Sequence, residues 1–207
     1  MNNILLDIGC FNGRTNSITY KLLKRKKENW KGYLIEPNYH LNLDIIDNLE
    51  CCNFNLFNYA ISNKNEKNVK FYLGKYGFNN YRDKKQMDKC MRSSLCIEKD
   101  FVKKHLSNNY IYVETITLKK FIDDNQINKI DLLKIDTEGH DFSIIEEYFK
   151  NDNIIYPKEI ITEDIVKNKE EDYEEQLEIK EEKINLLNFF GYKHYKLDEY
   201  NSKFILI

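Results

Sequence analysis

Ionisable side chains are concentrated in the stretch from Lys134 to Asp141, which also contains Asp136, Glu138 and His140. The stretch follows an apolar run, and its glycine indicates a turn before the next helix. Carboxylate and imidazole groups can accept a proton from a reacting hydroxyl, and carboxylates also bind cations. Acidic residues at a helix start complement the helix dipole, which explains Asp141 better than Asp136. The sequence therefore predicts a site for proton transfer or ligand binding here.

A second candidate site is a turn between an apolar run and a helix, with Gly9 and Gly13 in it. The spacing is GxxxG, whereas the dinucleotide fingerprint needs GxGxxG after the strand. Asp7 precedes the turn, and its negative charge would repel a pyrophosphate but attract an amino group or a sulfonium. Binding of a cationic ligand and an ordinary strand-to-helix turn both remain open for this segment.

Glu36 is a third candidate, because it ends another apolar run about 25 residues after the glycine turn and precedes Pro37. A carboxylate at this place can accept two hydrogen bonds from the hydroxyls of a ribose. Hydrogen bonds to a charged group contribute roughly 1.5–3 kcal/mol each. We therefore favour ribose binding over a solvated glutamate.

Strands and helices alternate along the chain and place all three candidates at strand ends. The predicted strands cover residues 4–8, 32–36, 54–61, 69–73, 110–118, 130–136, 159–166, 192–197 and 203–207. The predicted helices cover residues 14–28, 41–49, 118–125, 141–149 and 170–190. This alternation predicts an α/β fold with a mostly parallel sheet, covered by helices on both faces and closed by an antiparallel pair. Ligands of such sheets bind at the carboxyl ends of the strands.

Length and composition fit one domain with a core of its own. The 207 residues are 42% hydrophobic and 32% charged, with a formal net charge of -2. We predict a single domain over residues 1–207 with a lid-like insertion at about 74–108. Nine basic and four acidic residues give residues 74–106 a charge of +5, whereas eleven acids and three lysines give residues 159–182 a charge of -8. Both regions can be explained as solvated surface. Alternatively, the basic insertion holds an anionic acceptor such as a nucleotide-linked sugar.

The composition argues against several classes of protein. A balanced charge is unusual for a dedicated nucleic-acid binder. Five cysteines without CxxC spacing do not suggest a zinc site or a disulfide framework. No run of 18 apolar residues occurs, and the first residues lack the pattern of a secretory signal. We therefore expect a cytoplasmic protein without a membrane span.

Several segments occur together in a characteristic order. They are Asp7-Ile8-Gly9-Cys10-Phe11-Asn12-Gly13, Glu36-Pro37-Asn38, Ala60-Ile61-Ser62, Ser93-Ser94-Leu95, Val113 to Leu118, and Leu132-Leu133-Lys134-Ile135-Asp136-Thr137-Glu138-Gly139-His140-Asp141. In this combination, which covers nearly the whole chain, the sequence resembles the FkbM family of S-adenosylmethionine-dependent methyltransferases. The Lys-Ile-Asp-x-Glu-Gly block is the most specific part. The family usually has Ala-Asn where Cys10-Phe11 stand, and Ala-Glu is common in place of His140-Asp141.

The resemblance implies a Rossmann-like, seven-stranded methyltransferase sheet whose last strand is antiparallel. It also implies S-adenosylmethionine as the cofactor, bound by residues from several strand ends. These residues are Asp7, Gly9, Cys10, Phe11, Asn12, Gly13, Glu36, Pro37, Tyr59, Ala60, Ile61 and Asp136. Asp7 and Gly9 would line the methionine moiety, Glu36 would hold the ribose, and residues 59–61 would flank the adenine. The implied reaction is O-methylation of a sugar, glycan or small-molecule hydroxyl.

A hydroxyl is a poor nucleophile, so a general base is expected to accept its proton during transfer. Asp136 is the first candidate for this base. His140 is the second, because its ordinary pKa lies near neutrality, and Glu138 would orient either of them. Asp136, Glu163 and Asp164 offer ligands for a divalent metal, but their spacing does not show that they converge. S-adenosylmethionine is therefore the expected cofactor, and a divalent metal stays open as the less favoured addition.

Two other functions are compatible with such a fold. A nucleic-acid ribose methyltransferase would combine a lysine, an aspartate, a second lysine and a glutamate at the strand ends. Asp136 could be that aspartate, but Glu163 stands where a lysine is expected. A non-catalytic scaffold protein would be indicated by loss of Glu36 or Asp136, and both are present. We expect a small-molecule or glycan acceptor and no nucleic-acid partner.

Overall fold

The chain forms two β-sheets with helices packed beside them. The computed structural model describes residues 2–15, 17–25, 27–74, 92–98, 103–164 and 173–207. The strands are β1 (Asn3–Ile8), β2 (Trp30–Ile35), β3 (Phe54–Phe57), β4 (Tyr59–Ser62), β5 (Glu66–Gly74), β6 (Leu106–Thr117), β7 (Leu132–Ile135), β8 (Glu159–Glu163), β9 (Tyr192–Lys196) and β10 (Asn201–Leu206). The α-helices are α1 (Ile18–Leu23), α2 (Asn42–Asn48), α3 (Leu118–Asp124), α4 (Asp141–Phe149) and α5 (Tyr173–Phe189). Among the described residues, no helix has both the length and the apolar character needed to cross a membrane.

The larger sheet has seven strands in the order β3-β2-β1-β7-β8-β10-β9. Strand β1 pairs in parallel with β2 and with β7, and β10 is antiparallel to both of its neighbours. This arrangement confirms the predicted mostly parallel sheet with an antiparallel last strand. The strand order reverses between β1 and β7, and in open α/β sheets such a reversal leaves a crevice at the carboxyl ends of the two strands.

Apolar side chains fill both faces of the larger sheet around β1 and β7. On one face Leu6 packs in a cluster with Phe121 of α3 and Tyr148 of α4. On the other face Leu5 belongs to a cluster against which Ile18 of α1 packs. Burial on both faces is typical of parallel strands. Because the apolar runs end together, the polar residues that follow them all lie at one edge of the sheet.

The predicted strand over residues 54–61 is two strands in different sheets, which corrects the sequence prediction. Strand β3 adds to β2, whereas β4 pairs with β6 in a three-stranded sheet ordered β4-β6-β5. Asn58 separates them: its side-chain amide donates to the carbonyl oxygen of Glu36 (2.8 Å) and bonds the side chain of Asn42. The apolar pattern continues through both strands, so it gives no sign of the change of sheet.

The first helix is shorter than the predicted range 14–28, because α1 covers only Ile18–Leu23. Ser17 begins the helix, and its side chain accepts a hydrogen bond from the backbone N–H of Tyr20 (3.0 Å). A serine in this position satisfies one of the free N–H groups at a helix start. Residues 9–15 form a turn instead of the start of a helix, and this turn borders the candidate site.

Most of the predicted insertion at 74–108, including Lys84 and Lys85, lies outside the described residues. Its described part includes residues 92–98, which run beside β5. Ser94 and Tyr72 exchange two backbone hydrogen bonds there, each 3.0 Å long. This segment thus lies next to the three-stranded sheet, while the division of the chain into one domain plus an insertion stays a prediction.

Candidate functional site

A cleft of about 670 Å³ lies at the carboxyl ends of β1, β2 and β7, with β4 as its further wall. Most of the predicted site residues line it. They are Gly9, Phe11, Glu36, Pro37, Tyr59, Ala60, Ile61, Asp136, Glu138 and His140. The structure therefore brings the three candidate segments together, as expected from strand ends that share one edge of a sheet.

The carboxylate of Glu36 is buried in this cleft and is held by two backbone N–H groups. Its Oε2 accepts a hydrogen bond from Phe11 and its Oε1 accepts one from Asn38, both at 2.9 Å. Burial raises the pKa of Glu36 to about 7, although these two hydrogen bonds act in the opposite direction. A carboxylate has room for about four hydrogen bonds, so both oxygens can still accept hydroxyl donors.

The glycine turn approaches the β7 side of the cleft very closely. Gly9 has φ +80°, and a Cβ there would lie 2.0 Å from the carbonyl oxygen of Asp136. The close approach of two backbone segments therefore requires glycine at this position. This requirement holds whether or not a ligand binds at the turn. Asn12 stabilises the turn, because its Oδ1 accepts hydrogen bonds from the N–H groups of Arg14 and Thr15.

Three of the predicted cofactor residues in this turn do not line the cleft. Cys10 is buried in an apolar cluster beside Leu34, and burial raises the pKa of its thiol. A Cβ at Gly13 would contact the side chain of Leu49, and Asn12 is occupied by the turn. These three residues support the conformation of the turn on the side away from the cleft.

Lys134 connects the two acidic sides of the site. Its Nζ lies 3.2 Å from Oδ1 of Asp7 and 3.1 Å from Oδ2 of Asp136. Burial alone would lower the pKa of Lys134, but the charges of Asp136 and Asp7 raise it above its usual value. Asp7 is fully buried and lies beneath the cleft instead of lining it. The alternation of β7 places Lys134 on the same side as Asp136, a signal in the sequence that the site prediction did not use.

A second acidic group adjoins Asp136 on the side of β8. Ligand oxygens of Asp136, Glu138 and Glu163 all lie within 4.8 Å of one another. Burial, and then the charges of Glu138 and Asp136, raise the pKa of Glu163 well above its usual value. Glu163 is the last residue of β8 and lies beside the end of β7.

Asp164, the other predicted metal ligand, does not belong to this group. It pairs with Lys183 (2.8 Å) and Lys180 (2.9 Å) and accepts a short hydrogen bond from Ser202. Although burial would raise it, these partners hold the pKa of Asp164 below its usual value. Neighbouring residues in extended chain point to opposite faces, which separates Asp164 from Glu163.

His140 lies at the edge of the cleft, with a partner at each ring nitrogen. Its Nε2 is 3.1 Å from Oγ of Ser62 on β4, and its Nδ1 is 3.2 Å from Sγ of Cys96. Ser94 reinforces this contact by donating to the carbonyl oxygen of Glu138 (2.9 Å). The turn after β7 is thus joined to the three-stranded sheet and to residues 92–98, contacts that the sequence pattern does not reveal.

Asp141 holds the same turn from the other side. Its Oδ1 accepts a hydrogen bond from the N–H of Thr137 (2.9 Å), and its Oδ2 accepts one from the N–H of Glu163 (3.1 Å). Burial raises the pKa of Asp141, and the charge of Lys183 acts against this. Asp141 thus has a structural role at the start of α4, in line with the interpretation that it is an acidic residue at a helix start.

Comparison with known proteins gives one match to a family and a structural likeness. No curated protein matches the sequence. Among solved structures, the Methanococcus jannaschii fibrillarin pre-rRNA processing protein aligns with a TM-score of 0.48 and 14% identity. The alignment covers 99% of this chain and 66% of the archaeal chain, just under two thirds of its length.

The family match covers most of the chain. The description of the matching family is methyltransferase FkbM domain, and the match extends over residues 7–193. It includes the glycine turn, Glu36 and the whole stretch from Lys134 to Asp141. The chain therefore belongs to the FkbM methyltransferase family, a membership that supports methyl transfer from S-adenosylmethionine.

Proposed function

We propose that the protein is an S-adenosylmethionine-dependent O-methyltransferase that acts on a hydroxyl of a sugar, glycan or small-molecule acceptor. The observation that carries this proposal is the buried carboxylate of Glu36, which two backbone N–H groups fix in the cleft. A fixed carboxylate at the end of the second strand suits the two hydroxyls of a ribose. Its position beside the glycine turn suits a nucleoside that carries a further group toward Asp136.

The proposed cofactor site uses the residues that converge on this cleft. Glu36 binds the ribose, and the wall formed by Tyr59, Ala60 and Ile61 flanks the adenine. Gly9 would line the methionine moiety, and Asp7 would contribute negative charge from beneath the cleft, reduced by its pair with Lys134. When bound, S-adenosylmethionine supplies a methyl group activated by its sulfonium.

On the acceptor side, Asp136 is the proposed general base. Its side chain is 34% exposed, and Lys134 engages only its Oδ2. A hydroxyl aligned at this carboxylate can lose its proton as the new bond to carbon forms. His140 is the second candidate, but it must first release Ser62 or Cys96 to accept a proton. Glu138, which lies near Asp136, is proposed to orient the base.

A small or glycan acceptor fits the charges beside the cleft better than a nucleic acid does. Asp136, Glu138 and Glu163 place three carboxyl groups together at this edge. Nucleic-acid binding depends on basic side chains that neutralise phosphates. A single anionic group on a nucleotide-linked sugar remains compatible if basic residues of the insertion contact it. One of them, Arg92, lies close enough to the cluster for its charge to lower the pKa of Glu163.

Calorimetric titration with S-adenosylhomocysteine tests the cofactor site, with NAD as the comparison ligand. We expect the wild-type protein to bind S-adenosylhomocysteine and not NAD. Glu36→Ala removes both acceptor oxygens, so at roughly 1.5–3 kcal/mol per bond the affinity falls by about 100-fold or more. Glu50→Ala, at an exposed position after α2, is the matched control and leaves binding unchanged.

The same protein preparation then tests the acceptor class. Transfer of a labelled methyl group is measured to nucleotide-linked sugars, free glycans and RNA. Methylated sugar hydroxyls would support the proposal. Transfer to RNA alone would contradict the proposed acceptor class but not the proposed methyl donor. A folded protein that binds no S-adenosylhomocysteine, or binds it equally well with Glu36→Ala, would contradict the proposed cofactor site.

A further inference from the structure

Three carboxylates from two neighbouring strand ends converge beside the cleft. Asp136 follows β7, Glu138 lies in the turn after it, and Glu163 ends β8. One ligand oxygen from each lies within 4.8 Å of those from the other two. Like charges at this distance repel one another strongly in a poorly hydrated site. A positive group beside these carboxylates would relieve this repulsion.

Glu163 has little such relief from the part of the chain that the structure describes. The residue keeps some exposure, but its Oε2 is buried and accepts no hydrogen bond from any of the described residues. Unpaired buried carboxylate oxygens are costly, because they lose water without gaining a partner. None of three nearby cations among the described residues bonds this oxygen. Lys134 bonds Asp136 and Asp7, Lys183 bonds the backbone carbonyl oxygen of Glu163 and the side chain of Asp164, and Arg92 acts on Glu163 through its charge.

We infer that Asp136, Glu138 and Glu163 form a binding site for a divalent cation of the Mg²⁺ or Mn²⁺ type. All three ligands are carboxylate oxygens, the donors that hard cations prefer. Three protein ligands leave further coordination positions for water and for one more oxygen. The carboxylate of Asp141 holds the ligands in place, because it accepts hydrogen bonds from the backbone N–H groups of Thr137 and Glu163.

The consequence for catalysis rests on the proposed function. An acceptor hydroxyl that reaches Asp136 would also reach a cation held beside it. A cation-bound hydroxyl loses its proton more easily, because the positive charge stabilises the oxyanion. Asp136 would then accept the proton while the cation orients the attacking oxygen.

Manganese binding tests the site without any measurement of activity. The full chain is treated with a chelator, dialysed and titrated with MnCl₂ while electron paramagnetic resonance records free Mn²⁺. We expect one Mn²⁺ per chain, displaced by excess Mg²⁺. Glu163→Gln keeps the size of the side chain but removes its charge, and it should weaken binding by about tenfold or more.

Glu159→Gln is the matched control, since Glu159 begins the same strand and pairs with Lys203 (2.8 Å). Binding of Mn²⁺ should be unchanged in this variant. Glu138→Gln is a second variant of the site, used if Glu163→Gln does not fold, and it should also weaken binding. Absence of binding to the wild type, or equal binding by the wild type and the folded site variants, would overturn the inference.

One alternative is a proton shared within the cluster. In that case the wild type binds no Mn²⁺, and this result would overturn the inference. Titration with S-adenosylhomocysteine in the presence of chelator separates this inference from the proposed function. Intact cofactor binding without Mn²⁺ binding would contradict only the cation site, and the reverse would contradict only the cofactor site.

Discussion

Two glutamates lie at the same edge of the sheet but have opposite surroundings. Glu36 follows β2 and Glu163 ends β8, on either side of the central pair β1 and β7. Burial raises the pKa of both carboxyl groups. Both oxygens of Glu36 accept backbone N–H groups, whereas Oε2 of Glu163 has no such donor in the described part of the chain.

The comparison shows that burial alone does not assign a role to a carboxylate. The two N–H donors of Glu36 hold an acceptor in a fixed orientation, which suits recognition of neutral hydroxyls. Glu163 instead has carboxylates as neighbours, which suits a positive charge. The donors and charges around each group, and not its depth, distinguish the proposed ribose site from the proposed cation site.

Lys134 lies between these two regions, and its substitution should have the largest effect on stability. Lys134→Met leaves Asp7 and Asp136 without their ammonium partner, and breaking such a buried pair costs about 3–5 kcal/mol. Urea denaturation at pH 7 measures the change in unfolding free energy. Lys120→Met removes an exposed pair with Asp124, which solvent screens, and should lower the unfolding free energy far less. Equal losses in the two variants would show that the buried bridge has no special importance.

Gly9 follows β1, which lies between the strand before Glu36 and the strand before Asp136. A side chain at Gly9 should therefore disturb both sides of the cleft. Gly9→Ala combines an unfavourable φ of +80° with an overlap on the carbonyl oxygen of Asp136. Gly191 has a similar φ of +87°, but a Cβ there meets only a side-chain carbon of Leu206 at 3.8 Å. Gly191→Ala should cost about 1–2 kcal/mol from φ alone, and Gly9→Ala about 2 kcal/mol more. Chemical denaturation of both variants would reveal whether the overlap matters.

The titration of Glu36 should make cofactor binding depend on pH. Ribose hydroxyls donate to the ionised carboxylate, which is the minor form below the pKa of about 7. Affinity for S-adenosylhomocysteine should therefore rise by roughly tenfold between pH 6 and pH 8. Calorimetry at both pH values measures this change, and Glu36→Gln should remove it. An affinity that falls over this interval would contradict the assignment of the ribose to Glu36.

The effect of Glu36 on folding has the opposite sign. Its pKa is raised from 4.5 when unfolded to about 7 in the fold, so the folded state binds the proton more tightly. The stability from this group is fully present below pH 4.5 and is lost as the pH rises through 7.

The smallest predicted effects are those of a glutamine substitution at each glutamate on the unfolding free energy, measured in the presence of chelator. Glu36→Gln places an amide NH₂ against one of two N–H donors and should lower the unfolding free energy by about 1 kcal/mol. Glu163→Gln removes a charge from a group of carboxylates and should raise it by about 1 kcal/mol. Thermal unfolding at pH 7 measures both, and shifts of the same sign would remove the contrast between the two sites.

Regular patterns in the sequence predict the larger sheet well. Apolar runs of β1 and β7 are buried on both faces, so their ends and the polar residues after them can be recognised directly. The predicted range of α4, residues 141–149, agrees with the structure for the same reason, because its apolar residues keep a helical spacing. The convergence of Glu36 with Asp136 follows from strand order, which the family resemblance supplies.

Other features depend on contacts between distant residues, and local pattern does not reveal them. The change of sheet at Asn58 depends on a bond to the backbone of Glu36. The two partners of His140 come from β4 and from residues 92–98, far away in the sequence. Such pairings have no periodicity, so only the folded chain shows them.

Asn58 alone separates the last residue of β3 from the first residue of β4. One wall of the cleft therefore belongs to a hydrogen-bonded ladder that is distinct from the ladder carrying Glu36. We expect substitutions and length changes in the three-stranded sheet to reshape the wall formed by residues 59–61 without shifting the register of the seven-stranded sheet. The position of Glu36 and the shape of the wall opposite it are therefore set by two separate sets of strand pairings.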